Sequence, residues 1–107
     1  LFMKKNNFFS ISIIFSILYF IPVKADQKFD LGKDLFLNKG NCAMCHILAD
    51  AQSSGMIGPN LNELRPDKMI IMGAVTNGIG VMPPLDGVLS SEEIEAVAHY
   101  VSIASNN

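Results

Sequence analysis

The stretch Asn41-Cys42-Ala43-Met44-Cys45-His46 sets two thiols three residues apart and an imidazole directly after the second. This is the pattern of covalent haem attachment, in which both sulfurs add across the vinyl groups of one porphyrin and the histidine ligates its iron. On a helical turn Cys42 and Cys45 share a face, so both sulfurs reach one porphyrin edge and the next residue can swing its ring under the metal. The thioethers would hold the cofactor irreversibly, while His46 would supply one axial nitrogen.

Other chemistries use the same residue types. A thioredoxin-like redox couple belongs to a βαβ pattern, and no strand alternation surrounds this pair. A structural zinc site needs four ligands, usually two Cys pairs or a Cys pair with a His pair. The chain has two cysteines and two histidines, the second being His99, so unspaced carboxylates would have to complete the set. A disulfide between Cys42 and Cys45 would close a loop too short to constrain much of the unfolded chain.

The N-terminal composition supplies context. Met3-Lys4-Lys5 is a positive n-region, Phe8 to Ile21 an apolar run, and Val23-Lys24-Ala25 an A-x-A-like cleavage site with a charge in its middle. Residues 1–25 therefore read as a secretory signal peptide cleaved after Ala25, and 26–107 as one domain. The apolar run is 14 residues, short of the roughly 20 that a spanning helix needs. Export suits thioether attachment, which belongs outside the reducing cytosol. Removing 25 of 107 residues leaves five basic and ten acidic side chains, a charge of about minus five. No basic stripe exists to neutralise phosphates, which argues against nucleic acid. So short a chain has a marginal apolar core, and a buried porphyrin would complete it.

The elements that must position these groups read as helices. Lys28 to Asn38 forms a first helix, with Phe29, Leu35 and Phe36 on one face and Gly40 as its stop. Gly32 inside it implies close approach of another backbone. A short second helix carries the attachment motif on into Ile47-Leu48-Ala49. Asp50 to Asn60 is a polar loop ending in Gly58-Pro59-Asn60-Leu61, and the Pro59 carbonyl is an acceptor for the far nitrogen of His46. Pro66 opens a third helix running to Thr76, with Met69, Ile70 and Met72 apolar and Asn77-Gly78 as its stop. Ile79 to Gly87 is an apolar loop with Met82 near its centre, which needs something such as a haem face to pack against. Ser90 and Glu93 form a capping box that starts the last helix, along which Ile94, Val97, Ala98 and Val101 repeat. Nothing in the pattern predicts a β-sheet.

Taken together, Cys42-Ala43-Met44-Cys45-His46, Gly58-Pro59-Asn60-Leu61, Val81-Met82-Pro83 and the pairing of Gly32 and Phe36 with Val97 and Tyr100 resemble the small single-haem class I c-type cytochromes, over essentially the whole of residues 26–107. The resemblance implies an all-α cytochrome c fold, four short helices with long loops around one covalently bound haem c. It implies that the first and last helices cross at Gly32, that Cys42 and Cys45 carry the haem, that Pro59 and Leu61 line it, and that His46 and Met82 are its axial ligands. The Val75 to Pro83 run and the Cys-x-x-Cys-His-x-Leu-Ala-Asp-Ala start resemble cytochromes that serve periplasmic dehydrogenases, such as the haem subunit of sulfite dehydrogenases. In size the chain is also similar to cytochrome c6.

With both axial positions filled, no bond chemistry is expected, only one-electron transfer, so the chain reads as a carrier and not an enzyme. The alternatives are a permanent haem subunit of a periplasmic dehydrogenase, or a haem enzyme or ligand sensor with an open sixth site. Among rivals to Met82, Met44 lies inside the attachment motif and should point away from the iron, Met56 belongs to the histidine side, Met69 and Met72 to the core of a helix, and His99 to a surface or packing role. The donor would be a periplasmic dehydrogenase or cytochrome complex, and the acceptor an oxidase or photosystem. The compartment would be the periplasm, or the thylakoid lumen for a chain of plastid or cyanobacterial origin. The expected docking surface is the haem edge ringed by Ala43, Ile57, Leu61 and the Val81 to Leu85 loop.

Overall fold

The computed structural model describes residues 24–107, with side chains from Gln27 onward. The signal segment thus lies, all but its last two residues, outside the described residues. Four α-helices follow in order, α1 (Lys24–Leu37), α2 (Leu61–Leu64), α3 (Lys68–Asn77) and α4 (Ser91–Ala104). Two short strands, β1 (Ile47–Leu48) and β2 (Ser53–Ser54), pair antiparallel with Ile47 opposite Ser54 and Leu48 opposite Ser53. Single 3-10 turns occupy Cys42–Met44 and Ala49–Ala51.

Helix α4 organises the packing, lying against both α1 and α3. Its start is fixed as the sequence predicts: Ser90 Oγ accepts from the Glu93 amide at 3.1 Å, and Glu93 accepts in return from the Ser90 amide at 3.0 Å. Ile94, Val97, Ala98, Tyr100 and Val101 are all buried on one face. Each large one is worth roughly 1.5–3 kcal/mol relative to exposure. Across from them lie Leu35 and Phe36 of α1 and Ile71 and Val75 of α3, with Leu48 and Leu89 closing the core. Tyr100 stands at the centre, fully buried, with the rings of Phe29 and Phe36 edge-on to it at 4.9 and 5.8 Å.

Gly32 shows why a helix tolerates a glycine here. A Cβ on it would lie 2.1 Å from the Ala96 carbonyl oxygen and 2.5 Å from Tyr100 Cβ, so α1 and α4 meet backbone to backbone. Outside this contact, Glu95 of α4 holds Lys28 of α1 at 2.9 Å and Lys68 of α3 at 3.2 Å, and the two ammonium groups keep its carboxyl below the usual range. Lys39 pairs with Glu93 at 2.8 Å.

Several expectations are corrected. The attachment motif does not continue as a helix into Ile47-Leu48-Ala49, which instead leaves as strand β1. The partners that a helix would need are taken elsewhere: the Cys45 carbonyl accepts from the Gly58 amide at 2.8 Å, and the Ala49 amide donates to Asn62 Oδ1 at 2.8 Å. Gln52, at φ 53°, then reverses the chain into β2. Helix α3 starts at Lys68, not at Pro66, because Asp67 caps it by accepting from the Ile70 amide at 2.9 Å. Its buried residues are Ile71 and Val75, while Met69 and Ile70 face outward. Gly78 ends the helix as expected, at φ 73°.

The two helix-interior glycines give opposite expectations. Gly32→Ala should destabilise the holoprotein by about 3 kcal/mol in denaturant unfolding, because the added methyl meets backbone that cannot yield. Gly73→Ala, in α3 with nothing within 4 Å of the new Cβ, should raise stability by up to about 1 kcal/mol. Equal effects at the two positions would contradict the crossing described.

Candidate haem site

The three residues of the attachment motif sit in one tight turn. Asn41 enters it in the left-handed region at φ 54°, and the amides of Cys45 and His46 both donate to the Cys42 carbonyl, at 3.1 and 2.9 Å. Gly40 assists by proximity, since a Cβ there would lie 2.8 Å from the Leu35 carbonyl. Both thiols are free and half-buried. Burial, reinforced by the neighbouring Cys45, pushes the Cys42 thiol up to about 11. Among the described residues no group of three or more His, Cys, Asp and Glu side chains gathers as a closed zinc site requires.

His46 is oriented from two sides. Its Nδ1 lies 2.8 Å from the Pro59 carbonyl oxygen. A carbonyl can only accept, so Nδ1 carries the proton and the lone pair of the neutral ring is on Nε2, the tautomer that a metal takes. Gly58 lies flat against the imidazole, for a Cβ there would stand 2.6 Å from Cε1 and 2.9 Å from Nδ1. The residue before the proline is therefore glycine for space. Asn60 then caps α2, its side chain accepting from the Asn62 and Glu63 amides, and Leu61 is buried as the first residue of that helix. The short helix α2 was not foreseen, although Asn60 with Glu63 three residues on is the N-terminal pattern that marks one.

Met82 belongs to a second cluster, the turn over the C-terminus of α3. Ile79 and Met82 exchange amide-to-carbonyl bonds at 3.1 and 2.9 Å, and the Leu85 amide donates to the Val75 carbonyl at 2.8 Å. Gly78 allows the turn to close, because a Cβ there would meet the Met82 carbonyl oxygen and Pro84 nitrogen, each at 2.7 Å. Met82 and Leu85 are half-buried against the core. The flanking Ile79 and Val81 are 70% and 87% exposed, and Ile57 and Met56 are 70% and 85% exposed. Two thiols, an imidazole with its lone pair on Nε2 and a thioether, with large exposed apolar side chains in the Pro59 and Met82 segments, are donor types and an apolar surround that fit a covalently attached porphyrin. Among the other sulfurs Met44 and Met69 are exposed, which removes Met69 from the core role expected of it, and Met72 is half-buried. His99 is half-buried on α4, one turn beyond Glu95.

Comparison with known proteins agrees with this geometry. A family model described as cytochrome c oxidase, cbb3-type, subunit III matches residues 27–101. Cytochrome c6 of Gracilaria tenuistipitata var. liui is 35% identical over 94% of this chain and 93% of its own length. Cytochrome c6 of Leptolyngbya boryana is 38% identical over 57% of this chain and 76% of its own. The crystal structure of the c-type cytochrome SorU from Sinorhizobium meliloti is 51% identical, with a TM-score of 0.71, over 75% of this chain and 93% of that one.

Covalent attachment has a direct check. The purified protein should exceed its polypeptide mass by one haem, and its colour should survive acid-acetone extraction. Thiol reagents should fail to label Cys42 and Cys45 after mild unfolding. Extractable colour, or two reactive thiols, would refute the attachment.

Proposed function

The chain belongs to the small class I c-type cytochromes and holds one haem c covalently through Cys42 and Cys45, and from that premise we propose that it is an exported one-electron carrier with His46 and Met82 as axial ligands. The bound haem supplies ferric–ferrous exchange at the iron. The observation that supports the reading is the 2.8 Å bond from His46 Nδ1 to Pro59 O, which orients the ring and leaves the lone pair of the neutral imidazole on Nε2, where a metal could take it. The half-buried Met82, in a turn tied to α3, would offer a soft thioether that favours ferrous iron and raises the potential. Leu61, Leu85 and Val75 would exclude water from the ligand bonds, which raises it further.

In this reading the protein works outside the cytosol, in the periplasm or in a lumen, after cleavage near Ala25. No helix among the described residues is long and apolar enough to cross a membrane. Its donor would be a dehydrogenase or cytochrome complex of that compartment, and its acceptor an oxidase or photosystem. The docking surface would be the exposed set Met56, Ile57, Ile79 and Val81 with Pro83 and Pro84. Leu61 is excluded from it, being buried. Glu63, with Arg65 two residues on, and Asp86 are exposed charges close in sequence to these residues. Transient redox encounters bury less than roughly 1,200 Å² in total.

A second reading is a fixed haem subunit of a dehydrogenase of the sulfite type. It is favoured by the strongly exposed Val81 and Met56, which a permanent apolar interface would cover.

Ligation is tested by Met82→Ala, which should open the iron to cyanide and carbon monoxide and lower the reduction potential. An unmoved potential would assign the sixth position to His99 or another methionine. The carrier and subunit readings separate on salt. With a basic partner, electron-transfer rates should fall steadily as ionic strength rises past 0.15 M, where the screening length is about 8 Å. A salt-independent rate with co-purification in fixed ratio would select the subunit.

A further inference from the structure

We propose that Asp50 is the positioning residue for the histidine-bearing segment, pinning the β1–β2 hairpin to the crossing of α1 and α4. The inference deepens the reading of His46 as an axial ligand and rests on it.

Asp50 lies in the 3-10 turn Ala49–Ala51 that joins β1 to β2, four residues beyond His46. Its Oδ2 accepts from the Tyr100 hydroxyl at 2.7 Å, and Lys33 Nζ stands 3.3 Å from the same oxygen. One carboxylate oxygen thus meets α1, α4 and the loop after the histidine together. The two bonds differ in weight. Lys33 and Asp50 are 38% and 28% exposed, and an ion pair so open to solvent contributes little. Tyr100 is fully buried between Phe29 and Phe36, and its Cβ is one of the atoms that a side chain at Gly32 would strike. Its hydroxyl reaches a carboxylate from a fixed ring, a short charge-assisted bond whose loss would strand a buried donor. Burial first, and the Asp50 carboxylate second, push the phenol well above its ordinary range, so it remains a donor.

The hairpin is held on its other side as well. The Ala49 amide donates to Asn62 Oδ1 at 2.8 Å, and Leu48 is fully buried. Ile47, the first residue of β1, follows His46 directly. Loosening the turn at Asp50 therefore releases one of the two ends that hold the ring, with Pro59 holding the other.

The test compares Asp50→Ala, Asp50→Asn and Tyr100→Phe in the haem-loaded protein, by amide hydrogen exchange and by the proton NMR spectrum of the ferric form. Asp50→Ala and Tyr100→Phe should speed exchange at the Ala49 and Gln52 amides about tenfold or more while the α4 amides stay protected. The haem-methyl and His46 ring resonances should shift with it. Asp50→Asn retains an acceptor oxygen without charge and should bring both readouts back towards the parent. If Asp50→Ala fails to fold, the contrast between Tyr100→Phe and Asp50→Asn carries the same comparison. The proposal falls if exchange rises equally in α4, if the resonances stay in place while the hairpin loosens, or if asparagine does not rescue. Should the parent protein show no iron-shifted His46 ring, the ligand reading fails separately, and hairpin exchange still decides whether Asp50 is the pin.

Discussion

The backbone contact between α1 and α4 at Gly32 is the constraint on which the rest of this protein depends. Interhelical contacts usually keep axes 8–10 Å apart because side chains intervene. Here a glycine removes the intervening atom, and the Ala96 carbonyl and Tyr100 Cβ occupy its place. That approach brings Tyr100 between Phe29 and Phe36, and it sets the tyrosine hydroxyl where Asp50 can reach it. The residues proposed to hold the haem are not in the crossing. They sit in turns hung from it: the attachment turn after α1, the hairpin pinned at Asp50, the Pro59 segment leading to α2, and the Met82 turn after α3. Rigid helices thus position a site made almost wholly of loop.

What could be read from the sequence follows from how local each determinant is. The attachment turn, the capping box of Ser90 and Glu93, and the stop at Gly78 depend on residues within one or two turns, and the structure has them where the residue types require. The contact of Pro59 with His46 spans 13 residues, yet it was legible because a ligating imidazole needs an acceptor and the loop offers a carbonyl. The hairpin and α2 were not. Ile47 and Leu48 continue a helical pattern by composition, and what turns them into a strand is the diversion of the Cys45 carbonyl and the Ala49 amide to Gly58 and Asn62. Asp50 escaped for the same reason: an aspartate in a polar loop is ordinary until α4 brings a buried tyrosine to it. The outward face of Met69 and Ile70 shows the limit of periodicity, since α3 is apolar nearly all round and its sequence alone does not say which side α4 takes.

The placement of charge completes the functional argument. Among the described side chains, from Gln27 onward, all four lysines are engaged in ion pairs, Lys28 and Lys68 with Glu95, Lys33 with Asp50 and Lys39 with Glu93. These pairs link α1 and α3 to α4 and to the hairpin, and among the described side chains they leave Arg65, exposed at the end of α2, as the basic group outside them. Asp30, Asp34, Glu63, Asp67, Asp86 and Glu92 have no ion pair among the described residues, and Glu63 and Asp86 stand on elements next to the exposed Ile57 and Val81. The unpaired charge that an approaching partner meets is therefore mainly negative, six carboxylates against Arg65, while Ile57 and Val81 themselves are uncharged. Such an arrangement separates two tasks. Long-range attraction sets the rate and direction of encounter, and a small apolar contact, with no charge pair to break, lets the partner leave after one electron has passed.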